Sequence, residues 1–275
     1  MSASPVRAAD APPRVEVAGT VFEVSGLDTA DRAWVATRYR GFLSARAPDV
    51  RLAVTRYDEI PEDDGRLATL ETHGDELELE IGGYRIEGNL AAGRLRLSVP
   101  PFPTVLTPAA FRCLCALVLL RAGGIMLHAS AVVHARGAWV FCGASESGKT
   151  TVAHLAGPRA VLSDETIALR RHDGGYRACA TPFFGEAGPV PTQAGGEAPL
   201  TALFFLSKST RFAHRRLARQ EAVQRAFPQV FLPKRGPAMA EAILASLDAV
   251  TAAVPCFELE FAARDELWSY VDAVA

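Results

Sequence analysis

The sequence predicts an α/β protein, in which a mixed sheet with flanking helices follows a β-rich N-terminal region. Three observations carry that prediction. Glu76-Leu77-Glu78-Leu79-Glu80-Ile81 and Arg94-Leu95-Arg96-Leu97 alternate apolar and charged residues, the period-two pattern of half-buried strands. The later apolar runs at 125–133, 138–142 and 203–206 lack that alternation, as strands covered on both faces do. Finally, Trp139-Val140-Phe141-Cys142 runs into Gly143-Ala144-Ser145-Glu146-Ser147-Gly148-Lys149-Thr150. That is an apolar strand, a glycine-bounded loop and a helix start, matching G-x-x-x-x-G-K-[ST].

In chain order, residues 1–13 are rich in Ala and Pro and read as a disordered leader. Residues 14–105 form the β-rich region. It opens with a strand at 15–24 and a helix at 29–43 that sets Trp34, Val35, Tyr39, Phe42 and Leu43 on one face. Strands at 50–57, 67–71, 76–81, 84–87 and 94–99 then make an antiparallel meander. Turn residues at 63–65, 82–83 and 91–93 join them. This region would recognise a substrate or pack against another subunit. Pro100-Pro101-Phe102-Pro103 is a stiff connector, after which residues 106–275 form the second domain. Thr107 caps a helix with Pro108 at its first position, and Gly123-Gly124 stop it. That helix is apolar nearly all round, hence buried.

Beyond the phosphate loop, a short helix at 149–155 precedes a buried strand at 160–163 that ends in Asp164-Glu165. Strands at 167–170 and 176–179 form a hairpin across His172-Asp173-Gly174-Gly175. The Gly/Pro-rich loop at 181–199 is long enough to suggest a function. Helices at 220–226 and 238–252, a strand at 256–261 and a closing helix at 264–274 complete the chain.

Bulk properties exclude several classes. A formal charge of −2 and a pI near 6.3 give no overall nucleic-acid or membrane signature. The longest apolar run, around 111–120, is too short to span a bilayer. Neither is there an apolar segment of signal-peptide type near the N-terminus. Five cysteines without a C-x-x-C argue against a disulfide framework or a zinc site. A cytoplasmic protein with free thiols is the simplest reading.

The chemistry centres on the loop. Backbone N–H groups of Gly143, Ser145, Glu146, Ser147 and Gly148 would face a polyphosphate, with Lys149 on its β/γ-phosphates and Thr150 on Mg²⁺; Thr151 continues the site. This chain's own residue frequencies give about 0.002 accidental matches to the motif. Lysine is rare here: three occur among 29 basic residues, and one stands at 149. An acid ending the strand after such a loop is where nucleotide enzymes hold Mg²⁺. Asp164 and Glu165 are adjacent, so they converge on one site only if the chain turns there. One acid would hold metal and the other act as base. His128 lies on the strand preceding the loop strand. Lys208 and Arg211 open the basic run 208–219, which would hold phosphate or an acidic substrate, or form a solvated loop. Lys234-Arg235 is a further basic pair.

Leu127-His128-Ala129-Ser130-Ala131-Val132, the loop 143–150 and Leu162-Ser163-Asp164-Glu165, in that order, resemble the catalytic domain of HPr serine kinase/phosphorylase. That family belongs to the phosphoenolpyruvate carboxykinase-like group of P-loop kinases. Thr181-Pro182-Phe183-Phe184-Gly185-Glu186 is similar to a motif of the HPr kinase-related proteins, some found beside peptide-modification systems, including lasso peptide kinases. The resemblance covers about residues 125–261. It implies an ATP- and Mg²⁺-dependent kinase acting on a serine of a peptide or small protein. In it Asp164 would be the general base near the metal, Glu165 a metal ligand, and His128 a group that orients or tunes Asp164. Glu186 would approach substrate or metal. The family's tendency to assemble implies a homo-oligomer as one reading. Glu165 stands where HPr kinase carries a second Asp, and Ala129 where Gly follows the histidine. Residues 1–100 match no HPr kinase N-terminal domain, so HPr itself is not implied. A nucleotide-operated switch without phosphotransfer and a small-metabolite kinase stay open as alternatives.

Overall fold

A computed structural model describes residues 11–57, 69–100, 105–134, 136–184, 196–232, 236–264 and 266–274. The leader up to residue 10, the turn at 63–65, most of the proline connector, Glu186 and Lys234-Arg235 lie outside the described residues. The chain is mixed α/β, with two mixed sheets and helices. It divides into two compact units between residues 111 and 112, against an expected boundary at 105/106.

The first unit contains β1 (Arg14–Val17), β2 (Thr20–Ser25), α1 (Thr29–Arg38), β3 (Val50–Arg56), β4 (Thr69–His73), β5 (Glu76–Ile81), β6 (Tyr84–Asn89) and β7 (Arg94–Val99). The sheet order is β1-β2-β3-β7-β6-β5-β4. The meander β4–β7 is antiparallel, with Leu77, Leu79, Leu95 and Leu97 buried as their alternation predicts. The expectation of a wholly antiparallel region is corrected at β3, which pairs parallel with both β2 and β7. A parallel pair needs a crossover, and α1 with its following turn carries the chain from β2 back to β3. The helix is also shorter than its pattern suggests. It ends at Arg38, and a 3₁₀ turn follows at Arg40–Phe42, where Gly41 is a poor helix former. Val35 and Tyr39 are buried, whereas Leu43 is 46% exposed.

Asp28 caps α1 by accepting from the Asp31 N–H at 2.8 Å. Tyr39 packs edge-on against Phe111, which meets Phe22 in the same way, with centroids 5.3 and 5.2 Å apart. The Tyr39 hydroxyl donates to the Leu106 carbonyl at 3.0 Å, so this large ring is buried without stranding its polar end.

α2 (Pro108–Arg121) contains the division between the units, and Thr107 caps it through the Ala110 N–H. The second unit continues with β8 (Ile125–His134), β9 (Gly137–Cys142), α3 (Lys149–His154), β10 (Val161–Ser163), β11 (Thr166–His172) and β12 (Gly175–Cys179). Then come β13 (Glu197–Lys208), β14 (Ala213–Arg216), α4 (Arg219–Ala226), α5 (Pro237–Ala253), β15 (Cys256–Phe261) and α6 (Leu267–Val274). β9 pairs antiparallel with β8 and parallel with β13, and β13 pairs parallel with β15. β8 also pairs with β11, β11 with β12, and β12 with β13, so the pairings close into a circuit through β9. Trp139, Phe141, Phe204, Val152 and Trp268 form one buried cluster that joins α3 and α6 to β9 and β13. In it the Trp268 indole N–H donates to the Val152 carbonyl.

In the second unit, two elements depart from the sequence reading. β13 has twelve residues where the apolar run shows four, because its ends carry Glu197, Thr201 and Lys208. Within the basic run, 213–216 is a strand paired to β15. Arg215 there is held by Glu221 and Glu258. No described helix is long and apolar enough to cross a membrane.

Asp31 is 4% exposed, and both its oxygens accept from Arg56 Nη2 at 2.7 Å. Asp31→Ala removes this ion pair, and because the Arg56 side chain is 37% exposed the loss should be about 1 kcal/mol. Urea unfolding of the full chain measures it as a lower midpoint with unchanged m-value.

Candidate functional site

The loop begins where β9, buried at every position, ends beside β13. Two glycines are required by space. A Cβ on Gly143 would come within 2.4 Å of the Ser147 hydroxyl, and one on Gly148 within 2.4 Å of the Phe261 ring. Gly148 also has φ +103°, a left-handed conformation that only glycine adopts without strain. The turn between them is closed by the Ser147 N–H on the Ala144 carbonyl. Lys149, 6% exposed, donates from Nζ to the carbonyls of Gly143 and Ala144, each at 2.9 Å. Its ammonium is thereby folded across the loop mouth, and burial lowers its pKa.

A cleft of about 280 Å³ opens over the loop. It is lined by Ser145, Glu146 and residues 148–151, together with His128, Glu165 and Lys208. Four strands or strand ends thus contribute to one space. His128 comes from β8, the loop follows β9, Glu165 follows β10, and Lys208 ends β13.

The acid pair sits at the turn its convergence demands. Ser163 Oγ accepts from the Glu165 N–H at 3.1 Å and the Thr166 N–H at 2.9 Å, which bends the chain between β10 and β11. Both strands pair with β8, with Ser163 opposite Ala131 and Thr166 opposite His128. The Ala129 N–H donates to the Glu165 carbonyl. Thr181, first residue of the Thr-Pro-Phe-Phe segment, donates its hydroxyl to the Thr166 carbonyl at 2.6 Å and so ties that segment to the strand after the acids.

The two carboxyls differ in their surroundings. Asp164 is 4% exposed and is not among the described residues lining the cleft. Burial raises its pKa, and the neighbouring Glu165 charge adds to the rise. Glu165 does line the cleft. Its hydrogen bond to His128 holds its carboxyl below the ordinary range against the effect of burial, with Arg112 and Lys149 contributing. His128 Nε2 lies 3.4 Å from Glu165 Oε2. The resemblance implied a histidine that orients Asp164; the described partner is Glu165, because the Ser163 turn swings that carboxylate toward β8.

Of the remaining sequence candidates, Arg211 is exposed, pairs with Glu260 at 3.6 Å and is not among the residues lining the cleft. Sequence reasoning missed Arg112 and Phe231. The Arg112 guanidinium lies 4.1 Å from the Phe231 ring centroid, and that ring is 5.6 Å from His128. Phe231 is fixed there by its N–H on the Met126 carbonyl and by the Leu127–Val230 bridge. A signal for Arg112 was present, since it is the only charged residue from Pro108 to Leu120. Phe231 carried none.

Magnesium takes one or two protein carboxylates and completes its shell with phosphate and water oxygens. The Thr150 hydroxyl and the Glu165 carboxylate lining one cleft fit that requirement. No group of three or more His, Cys, Asp or Glu among the described residues could form an all-protein cage.

No protein-family model matches the chain, and no curated protein matches it. Among solved structures, the Hpr(Ser) kinase/phosphatase from Coxiella burnetii aligns at 10% identity over 54% of this chain and 92% of that chain, with a TM-score of 0.32.

Asp164→Asn tests the buried carboxyl. A pKa raised in the folded state means that stability tied to the neutral form is present below the unfolded value and is lost as pH rises through the folded one. The Asn variant should therefore melt higher than the wild type at pH 8, with the difference shrinking toward zero by about pH 3.5. Melting curves of both proteins across pH measure this.

Proposed function

We propose that the second unit binds ATP with Mg²⁺ and transfers the terminal phosphoryl group to a serine hydroxyl of a peptide or small protein. The observation that carries this reading is the single cleft over the phosphate loop, which combines Lys149 and Thr150 with a carboxylate–imidazole pair and a second lysine. Phosphoryl transfer rests on alignment and charge stabilisation, and these residues supply both.

In this reading, loop N–H groups and Lys149 hold the β- and γ-phosphates, and Lys208 approaches the transferred group from β13. Magnesium, when bound, neutralises the β/γ charge; the Thr150 hydroxyl and Glu165 would hold it. Glu165 suits that role because its carboxyl is kept ionised, and His128 orients it. Asp164 takes the proton from the acceptor hydroxyl as the new O–P bond forms and the bond to the departing ADP breaks. Adjacent carboxyls whose proton affinities are pushed in opposite directions are the pattern of a base beside a stabilising anion. Arg112 acts through Glu165 and Phe231. The first unit would recognise the acceptor, and a homo-oligomer would suit such a protein.

One observation favours a second reading, a nucleotide-operated switch without transfer: Asp164 is buried and is not among the cleft-lining residues. The deciding experiment incubates the full chain with [γ-³²P]ATP, Mg²⁺ and candidate serine-bearing peptides encoded by neighbouring genes, with mass spectrometry locating the label. Phosphoserine on a peptide supports the kinase. Label on a small metabolite redirects the acceptor class, and ATP bound without any transfer supports the switch.

Lys149→Ala should abolish ATP binding, measured by titration calorimetry. Asp164→Asn should lower turnover by about 10²- to 10⁴-fold while ATP still binds. A base must be unprotonated to act, so wild-type activity should fall as pH drops through the raised Asp164 pKa, at a pH above that of an ordinary aspartate. Turnover retained by either variant would overturn the assignment.

A further inference from the structure

Glu146 is out of character with a phosphate-binding loop. It has φ +62°, a left-handed conformation that strains any residue bearing a Cβ. The other described non-glycine residues with positive φ are Ala18 and Asp173. Each is followed by a glycine in a two-residue turn between paired strands, β1–β2 and β11–β12, where the hairpin itself demands that geometry. Glu146 is in no hairpin. It is an exposed carboxylate at the mouth of the cleft.

The charges lining the cleft make its position informative. Two lysines, Lys149 and Lys208, are matched by two carboxylates, Glu146 and Glu165. A cleft so balanced offers little net attraction to a free triphosphate carrying three or four negative charges. Glu165 is drawn toward His128, which leaves Glu146 as the acid mounted on the phosphate loop itself. Repulsion between this carboxylate and an uncomplexed polyphosphate disfavours binding. A divalent cation on the phosphates cancels about half of that charge and sets a positive ion within reach of the carboxylate, so the repulsion falls steeply.

Resting on the reading that this cleft binds a nucleoside triphosphate, we infer that Glu146 is a specificity-determining residue that makes nucleotide binding dependent on a divalent cation. The loop tolerates a strained conformation at this position while keeping a side chain that rejects the metal-free nucleotide.

The test measures ATP dissociation constants by titration calorimetry on the full chain at low ionic strength, once with Mg²⁺ and once with EDTA. Wild type, Glu146→Gln and Glu146→Gly are compared. Gln keeps the strained backbone and removes the charge, whereas Gly removes both. The expected result is that Glu146→Gln reduces the Mg²⁺-dependence of binding, the ratio of the two constants, about tenfold, chiefly by tightening binding of free ATP. Glu146→Gly should do the same and also raise the melting temperature, which Gln should not. An unchanged ratio in Glu146→Gln overturns the inference while leaving nucleotide binding intact. Wild type that binds no ATP even with Mg²⁺ overturns both this inference and the nucleotide reading beneath it.

Discussion

The double pairing of β8 is the constraint on which the second unit's geometry rests. This strand is hydrogen-bonded to β9, which leads into the glycine-bounded loop at 143–150, and also to β10 and β11, which flank the acid pair. Residues 128, 143–151 and 164–165 are brought together by strand registers, with Thr166 opposite His128 and Cys142 opposite Ala129. A one-residue slip along either edge would reverse which side chains face the cleft. Buried apolar residues along β8 and β9 specify the register, so the site inherits its precision from the core.

Local devices then refine what the registers deliver. Ser163 turns the chain so that neighbouring carboxyls, which would point to opposite faces of a straight strand, enter different environments near one place. One is buried and driven toward protonation, and the other is held ionised by an imidazole and nearby cations. Phe261, at the end of β15, closes the space beside Gly148, so the loop's backbone is shaped partly by a strand more than a hundred residues away. The Arg112–Phe231–His128 series is similar in kind, drawing a helix and a segment after α4 to the edge of β8.

Much of this was legible in the order of residues. Alternation at 76–81 and 94–99 marked β5 and β7, and Thr107-Pro108 with Gly123-Gly124 marked the ends of α2. The motif spacing pointed to Lys149 and Thr150, and the strand before the acids to Glu165, all three of which line the cleft. Reasoning was weaker where pairing partners are remote. The parallel pairings of β3 could not be inferred from its own pattern, since a half-buried strand alternates alike in either orientation. β13 hid its length because its ends are polar, and β14 looked like a basic loop because Arg215 is neutralised by Glu221 and by Glu258, the latter distant in sequence.

The sequence by itself determined the kinds of elements and the position of the glycine-bounded loop, because periodicity, turn residues and the G-x-x-x-x-G-K-T spacing are local properties written into consecutive positions. Only the tertiary structure decided which acid lines the cleft, that His128 meets Glu165, that Lys208 joins the cleft while Arg211 does not, and that Glu146 occupies a left-handed conformation. Those facts depend on strand register, on a turn set by one serine hydroxyl and on packing from distant segments. A local pattern cannot encode them, because each is set by which surfaces become neighbours when the core closes.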